Sequence, residues 1–113
     1  MQSQLELLDE IRNYTAQFKQ ELPKAMTAHD AFTDEVYKDG ALSHKVKRLM
    51  AMAVALRAGC TACIIYQTKM AVEAGATKAE VLEAVAVARA MGGTPAGGWA
   101  WRVVKVLEEL GKW

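Results

Sequence analysis

The chain has 113 residues and a formal net charge of +1, with 52 % hydrophobic and 24 % charged residues. That length and composition suit a single folded domain over residues 1–113 and exclude a disordered chain. The near-neutral charge argues against nucleic acid or an anionic membrane as the main partner, and no run approaches the ~18 unbroken apolar residues of a membrane span.

The N-terminal run M-Q-S-Q-L-E-L-L-D-E is polar and acidic. It lacks the basic start and apolar core of a signal peptide, so a soluble, cytoplasmic protein is expected. A first helix is predicted from Ser3 to Glu21. Leu5, Leu8, Ile11, Thr15 and Phe18 recur at three- and four-residue spacings and form one apolar stripe. Pro23 stops this helix or opens the next segment. Residues 24–38 read as a broken helical region with Met26, Phe32, Val36 and Tyr37 facing inward, closed by the Asp39-Gly40 turn signal.

Ser43 is placed to cap a third helix, which runs to Ala58 with Val46, Leu49, Met50, Ala53, Val54 and Leu56 as its apolar positions. Gly59 suits its C-terminal cap, because a left-handed backbone costs glycine no steric strain. A fourth helix opens near Cys60 and ends at Gly75. Thr77 and Glu80 fit a capping box, in which each side chain accepts from the other's backbone N–H, and a fifth helix runs on to Met91. Gly92, Gly93 and Pro95 break the chain, and a last helix is predicted over Ala96–Leu110. The expected architecture is all-α, with five to six helices and short connections.

Helices four and five are apolar over most of their circumference, as in V-L-E-A-V-A-V-A-R-A-M. So small a monomer offers little depth to bury such helices, so a homo-oligomer is expected. Trp99, Trp101 and Trp113 are candidate interface anchors, with ordinary core residues as the equal alternative. The six methionines are read as gap-fillers of core and interface. The basic run His44-Lys45-Val46-Lys47-Arg48 is read as a solvated helix face or as partner to Asp34, Glu35 or Asp39. The patch Gly92-Gly93-Thr94-Pro95 follows no strand, so it is a helix–helix turn rather than a phosphate-binding loop.

The chemistry centres on Cys60 and Cys63, the only cysteines. At about 100° per residue on a helix, Cys60, Cys63 and Gln67 fall within a sector of about 60°, with Tyr66 about 60° beyond Cys63. Cys60 sits at the helix N-terminus, where free N–H groups and the helix dipole favour a thiolate. Such a thiolate can attack a peroxide or a disulfide, and its neighbour can close the ring. Two other readings stay open: half of a metal site shared between chains, and two buried inert thiols. His29 and His44 are the only histidines and lack metal-ligand spacing, so no metal and no cofactor is expected. Tyr66 is placed to hydrogen-bond a sulfur or a substrate.

The succession G-A-L-S-H-K-V-K-R-L-M-A, A-L-R-A-G-C-T-A-C-I-I-Y-Q, E-A-G-A-T-K-A-E-V-L-E-A-V and M-G-G-T-P-A, over residues 40–96, resembles the carboxymuconolactone decarboxylase and alkylhydroperoxidase D superfamily. The resemblance implies an AhpD-like all-helical fold and a homo-oligomer, trimer or hexamer. It also implies a C-x-x-C pair that reduces hydroperoxides, with Cys63 as the peroxidatic residue and Cys60 as proton donor and resolving partner. The helix-terminus argument instead makes Cys60 the more acidic thiol. Two positions depart from the family's peroxidase motif, which has His four residues after the second Cys and Glu twelve before the first. Here those positions are Gln67 and Arg48. Neither serves as a base near neutral pH. Arg48 can instead favour a thiolate electrostatically, and His44, four residues before Arg48, is a candidate replacement base.

The expected function is therefore thiol-dependent peroxide reduction or thiol–disulfide exchange. The expected partners are a small hydroperoxide or disulfide substrate and a protein or small-thiol reductant. The alternatives are a lactone decarboxylase of the same superfamily, for which few convergent basic residues are visible beyond Arg48, and a catalytically degenerate helical oligomer.

Overall fold

The computed structural model describes residues 2–113, and its regular structure among them is entirely helical. Seven segments follow in order: α1 Gln4–Glu21, α2 Pro23–Val36, α3 His44–Ala58, α4 Thr61–Glu73, α5 Lys78–Gly92, the single turn α6 Thr94–Gly97, and α7 Ala100–Glu109. Their starts are set by local chemistry. Ser3 and Glu6 form a capping box at α1, Ser43 accepts from the Val46 N–H at α3, and Thr77 and Glu80 form the capping box at α5. Pro23 occupies the first turn of α2, where its missing N–H costs nothing.

The centre of the molecule is α3 packed against α4 and α5, with α7 closing over α4. Met52 and Leu56 of α3, Ile64 and Ala71 of α4, Val81 and Val85 of α5, and Val103 and Leu107 of α7 form one buried cluster. A smaller cluster of Leu8, Ile65 and Val106 fastens α1 onto α4 and α7. The fastening is completed by Glu109, whose carboxylate accepts from the backbone N–H groups of Gln4 at 2.8 Å and Leu5 at 3.0 Å. A carboxylate at free N–H groups at a helix start is favourable both as a cap and against the helix dipole.

The outer parts differ from the sequence expectation. Residues 24–36 belong to one continuous helix rather than a broken region, yet α2 has no buried residue. Phe32 and Val36, expected to face inward, are 66 % and 42 % exposed, whereas Met26 and Tyr37 are half-buried. Of the predicted α1 stripe only Leu8 is buried, and Phe18 is exposed. The predicted last helix is interrupted: α6 ends at Gly97, and Gly98 and Trp99 separate it from α7. Two consecutive glycines weaken a helix, and Trp99 instead packs over the turn at Gly59. Trp101 and Trp113 are about half exposed, so only Trp99 joins the core. The radius of gyration is 14.4 Å, above the ~13 Å typical of a chain this long. Extents of 40 × 38 × 27 Å describe a flattened body, and Val46, Met50, Val54, Val87 and Met91 lie exposed on α3 and α5.

Candidate functional site

Gly59 ends α3 in the left-handed region, at φ 68°, and turns the chain so that Cys60 caps α4. A Cβ at Gly59 would stand 3.3 Å from the Trp99 indole nitrogen, so glycine is required for both conformation and space. Cys60 and Cys63 are joined by a disulfide, with their Cα atoms 5.2 Å apart, inside the range that such a bridge spans. The Cys63 backbone N–H donates to Cys60 Sγ at 3.3 Å. Cys60 is half-buried and Cys63 is exposed, so neither packs as a fully buried core residue.

Cys63 opens into a groove of about 730 Å³ between α1, α2 and the α3–α4 pair. Leu8, Ile11 and Ala16 of α1 and Ala62 of α4 give it an apolar side, while Arg48, Tyr66 and Gln67 line the same groove as Cys63. Arg48 and Gln67, the two departures from the peroxidase motif, are directly bonded: Arg48 Nη1 donates to Gln67 Oε1 at 3.0 Å. The positions that would carry Glu and His in the family motif thus hold a neutral-amide and guanidinium pair. It retains a hydrogen bond between α3 and α4 and has no proton acceptor that works near neutral pH.

Arg48 is only 8 % exposed, and its guanidinium stacks 3.7 Å from the Tyr37 ring centre. Tyr66, predicted beside Cys63, is half-buried in the groove. His44 is placed elsewhere. Its Nδ1 is 2.6 Å from the Tyr37 carbonyl oxygen, and it lines a smaller hollow of about 380 Å³ with Asp34, Lys38 and Asp39 rather than the groove at Cys63. Of the carboxylates expected to partner the basic run, only Asp39 does so, and through a backbone N–H; the lysines find other partners. Lys45 pairs with Glu80 at 2.8 Å, Lys47 donates to the Val36 and Lys38 carbonyls, and Asp39 accepts from the His44 backbone N–H.

Several groove residues escaped the sequence reading. Arg12 and Lys19 of α1 and His29 and Asp30 of α2 all line it. Lys19 and His29 both contact Asp30, at 3.2 and 3.3 Å, and the His29 contact followed by that of Lys19 holds the Asp30 carboxyl below its ordinary pKa. The Lys19–Asp30 contact joins α1 to α2 across the groove wall, whereas His29 and Asp30 are neighbours within α2. The available signal was weak: Arg12 follows the apolar position Ile11, and His29-Asp30 is a bare dipeptide. Among the described residues no group of three or more His, Cys, Asp and Glu side chains is placed to hold a metal, and no helix is long and apolar enough to cross a membrane.

The comparisons with known proteins agree with the all-helical fold. The profile of the carboxymuconolactone decarboxylase family matches residues 21–106. A carboxymuconolactone decarboxylase family protein of Legionella pneumophila, solved in its apo form, superposes with a TM-score of 0.90 at 34 % identity, over 96 % of this chain and 97 % of that one. A family protein of Thermotoga maritima, for which a part in the antioxidative response has been suggested, superposes with a TM-score of 0.71 at 31 % identity, over 76 % and 89 % of the two chains. An uncharacterized protein of Cupriavidus necator is 31 % identical over 103 residues, 91 % of each chain.

Proposed function

The chain belongs to the carboxymuconolactone decarboxylase family, and from that premise we propose that it is a thiol-dependent redox enzyme of the alkylhydroperoxidase D type. The carrying observation is the asymmetry of the cysteine pair: Cys63 is exposed in the groove, while Cys60 lies behind it as the helix cap. Accessibility thus favours the family roles, with Cys63 attacking and Cys60 resolving. The Cys63 backbone N–H, which donates to Cys60 Sγ, favours negative charge on Cys60, the form that closes the disulfide in the second step.

The reduced pair enters the cycle as a monoanion. The Cys63 thiolate attacks the distal oxygen of a hydroperoxide, and the O–O bond breaks. The leaving alkoxide takes the Cys60 thiol proton and departs as an alcohol, leaving a sulfenic acid at Cys63. The Cys60 thiolate then attacks Cys63 Sγ; the S–O bond breaks, hydroxide leaves and is protonated by solvent, and the disulfide forms. Two electrons have passed from the dithiol to the peroxide. An external dithiol resets the pair by exchange through a mixed disulfide. No step needs a histidine or glutamate, so Gln67 and Arg48 are compatible with it. The lack of a general base suits a slower reaction than that of a dedicated peroxidase. The reducing cytosol supplies the setting in which such a pair can cycle.

The working unit in this reading is a homo-oligomer. Its support is two exposed apolar stripes, Val46, Met50 and Val54 on α3 and Val87 and Met91 on α5, each at four-residue spacing, a kind of surface that association covers.

The test is a single-turnover reaction of the reduced protein with a hydroperoxide, followed by mass spectrometry. The wild type forms one intramolecular disulfide per peroxide consumed. Cys60→Ser stops at a sulfenic acid on Cys63 that dimedone traps, and Cys63→Ser does not react. A reduced protein that leaves the peroxide untouched, yet turns over a carboxymuconolactone after its thiols are blocked, belongs with the lactone decarboxylases.

A further inference from the structure

The groove holds two guanidiniums with no carboxylate in ion-pair contact among the described residues. Arg48, from α3, is more than nine-tenths buried, its Nε has no hydrogen-bond partner, and its nearest polar partner is the neutral Gln67 amide. Arg12, from α1, is exposed at the groove wall. Among the described residues neither arginine has a carboxylate within ion-pair distance. Both converge on one ring: the Arg12 and Arg48 guanidinium carbons lie 5.6 and 5.8 Å from the centre of Tyr66. Tyr66 stands three residues after Cys63 on the same helix and lines the same groove.

The charge count of the groove supports an anionic occupant. Lys19 is spent on Asp30, which leaves Arg12 and Arg48 against Asp34 alone. A buried guanidinium without an anion carries an uncompensated desolvation cost, which a bound carboxylate offsets through charge-assisted hydrogen bonds. The remaining lining, Leu8, Ile11 and Ala16, suits a hydrocarbon body. A volume of about 730 Å³ is far larger than hydrogen peroxide requires.

We infer that the groove selects organic hydroperoxides that carry a carboxylate, with Arg48 and Arg12 holding the carboxylate beside Tyr66 and the peroxide end lying at Cys63. This inference rests on the redox reading above for the reacting group and on the arginine geometry for the anion. The chemistry at sulfur is unchanged: the dithiol supplies two electrons, the O–O bond breaks, and the product is the corresponding hydroxy acid and water.

Two measurements separate the parts. The first is equilibrium binding of octanoate and of octan-1-ol to the oxidised protein by calorimetry, which requires no turnover. Octanoate should bind about tenfold or more tightly than the alcohol, the usual scale for losing a hydrogen-bonded charge partner. Arg48→Gln and the exposed Arg12→Gln should each erode that preference, and Arg48→Lys should retain part of it. The second is the ratio of kcat/KM for cumene hydroperoxide and its para-carboxylated form. The wild type should favour the carboxylated compound, and both Gln variants should bring the ratio towards one. Equal binding of octanoate and octanol, or a ratio near one with turnover intact, overturns the inference and leaves the redox reading standing. Octanoate held by both arginines, with neither peroxide consumed, overturns the redox reading and confirms the carboxylate site.

Discussion

The α3–α4–α5–α7 assembly and the α1–α2 arm are built from the same helix-favouring residues, yet they bury very different fractions of themselves. In the first, nearly every inward apolar side chain meets another helix, and Met52, Leu56, Ile64, Val81, Val103 and Leu107 are fully buried. In the second, α2 has no fully buried residue, and α1 is held to the assembly by Leu8 and the Glu109 cap and to α2 by the Lys19–Asp30 contact. The difference separates two roles. The assembly fixes the backbone around Cys60 and Cys63, and the arm supplies a wall that turns an exposed sulfur into the end of a groove. Segments with few buried contacts open locally at low cost, so the wall is the part of the fold best suited to admit a ligand.

The sharpest way to break the comparison is to truncate one large side chain in each region. Leu56→Ala in α3 should cost about 2–5 kcal/mol, the range for emptying a packed core site. Phe32→Ala on α2 should stay within about 0.5 kcal/mol, because its ring is mostly in solvent. Denaturant unfolding of the two variants measures both, and similar losses would mean that α2 is covered in solution.

A smaller effect is expected at the turn that presents the cysteines. Gly59→Ala should cost about 1–2 kcal/mol for the left-handed backbone alone. The close Trp99 contact adds to that cost. Thermal unfolding reads the stability, and the alkylation rate of the reduced cysteines reads the displacement of the α4 start.

Thr77→Ala removes a cap of the assembly and should cost about 1 kcal/mol. The smallest effects are the pH responses. Hydrogen bonds from Lys45, then from the Thr77 backbone, hold the Glu80 carboxyl below its ordinary pKa, and Asp30 is lowered by His29 and Lys19. A carboxyl whose folded pKa is depressed stabilises the fold above its unfolded value and loses that contribution as pH falls through the folded one. Acid should therefore loosen both contacts. Hydrogen exchange should show it first where Asp30 joins α1 to α2, while the α5 start, backed by buried Val81, opens later.

What could be read from the sequence was mostly local. Ser43, Gly59, Thr77 and Glu80 act on backbone groups within four residues, so helix ends at those points were visible without knowing the fold. That Cys63 and Gln67, four residues apart on α4, line one groove followed from helix periodicity in the same way. The groove was not visible, because it joins Arg12, Lys19, His29, Arg48 and Cys63 through packing between four helices. The Arg48–Gln67 bond spans nineteen positions, and only tertiary structure shows that the two departures meet. Apolar patterning also overstated burial. It marks faces that avoid water, as Val54 and Met50 of α3 do, but does not say whether this chain or a second copy covers them.

The most direct test of the central claim is the rate of thiol alkylation against pH in the reduced, folded protein, followed by mass spectrometry in the wild type and in Cys60→Ser and Cys63→Ser. The account predicts that Cys63 reacts in the folded state, with a thiolate that titrates below the ~8.5 of a free cysteine and gives way to an intramolecular disulfide on oxidation. Two sulfurs that resist alkylation until the chain unfolds would contradict it and leave a helical scaffold with inert thiols.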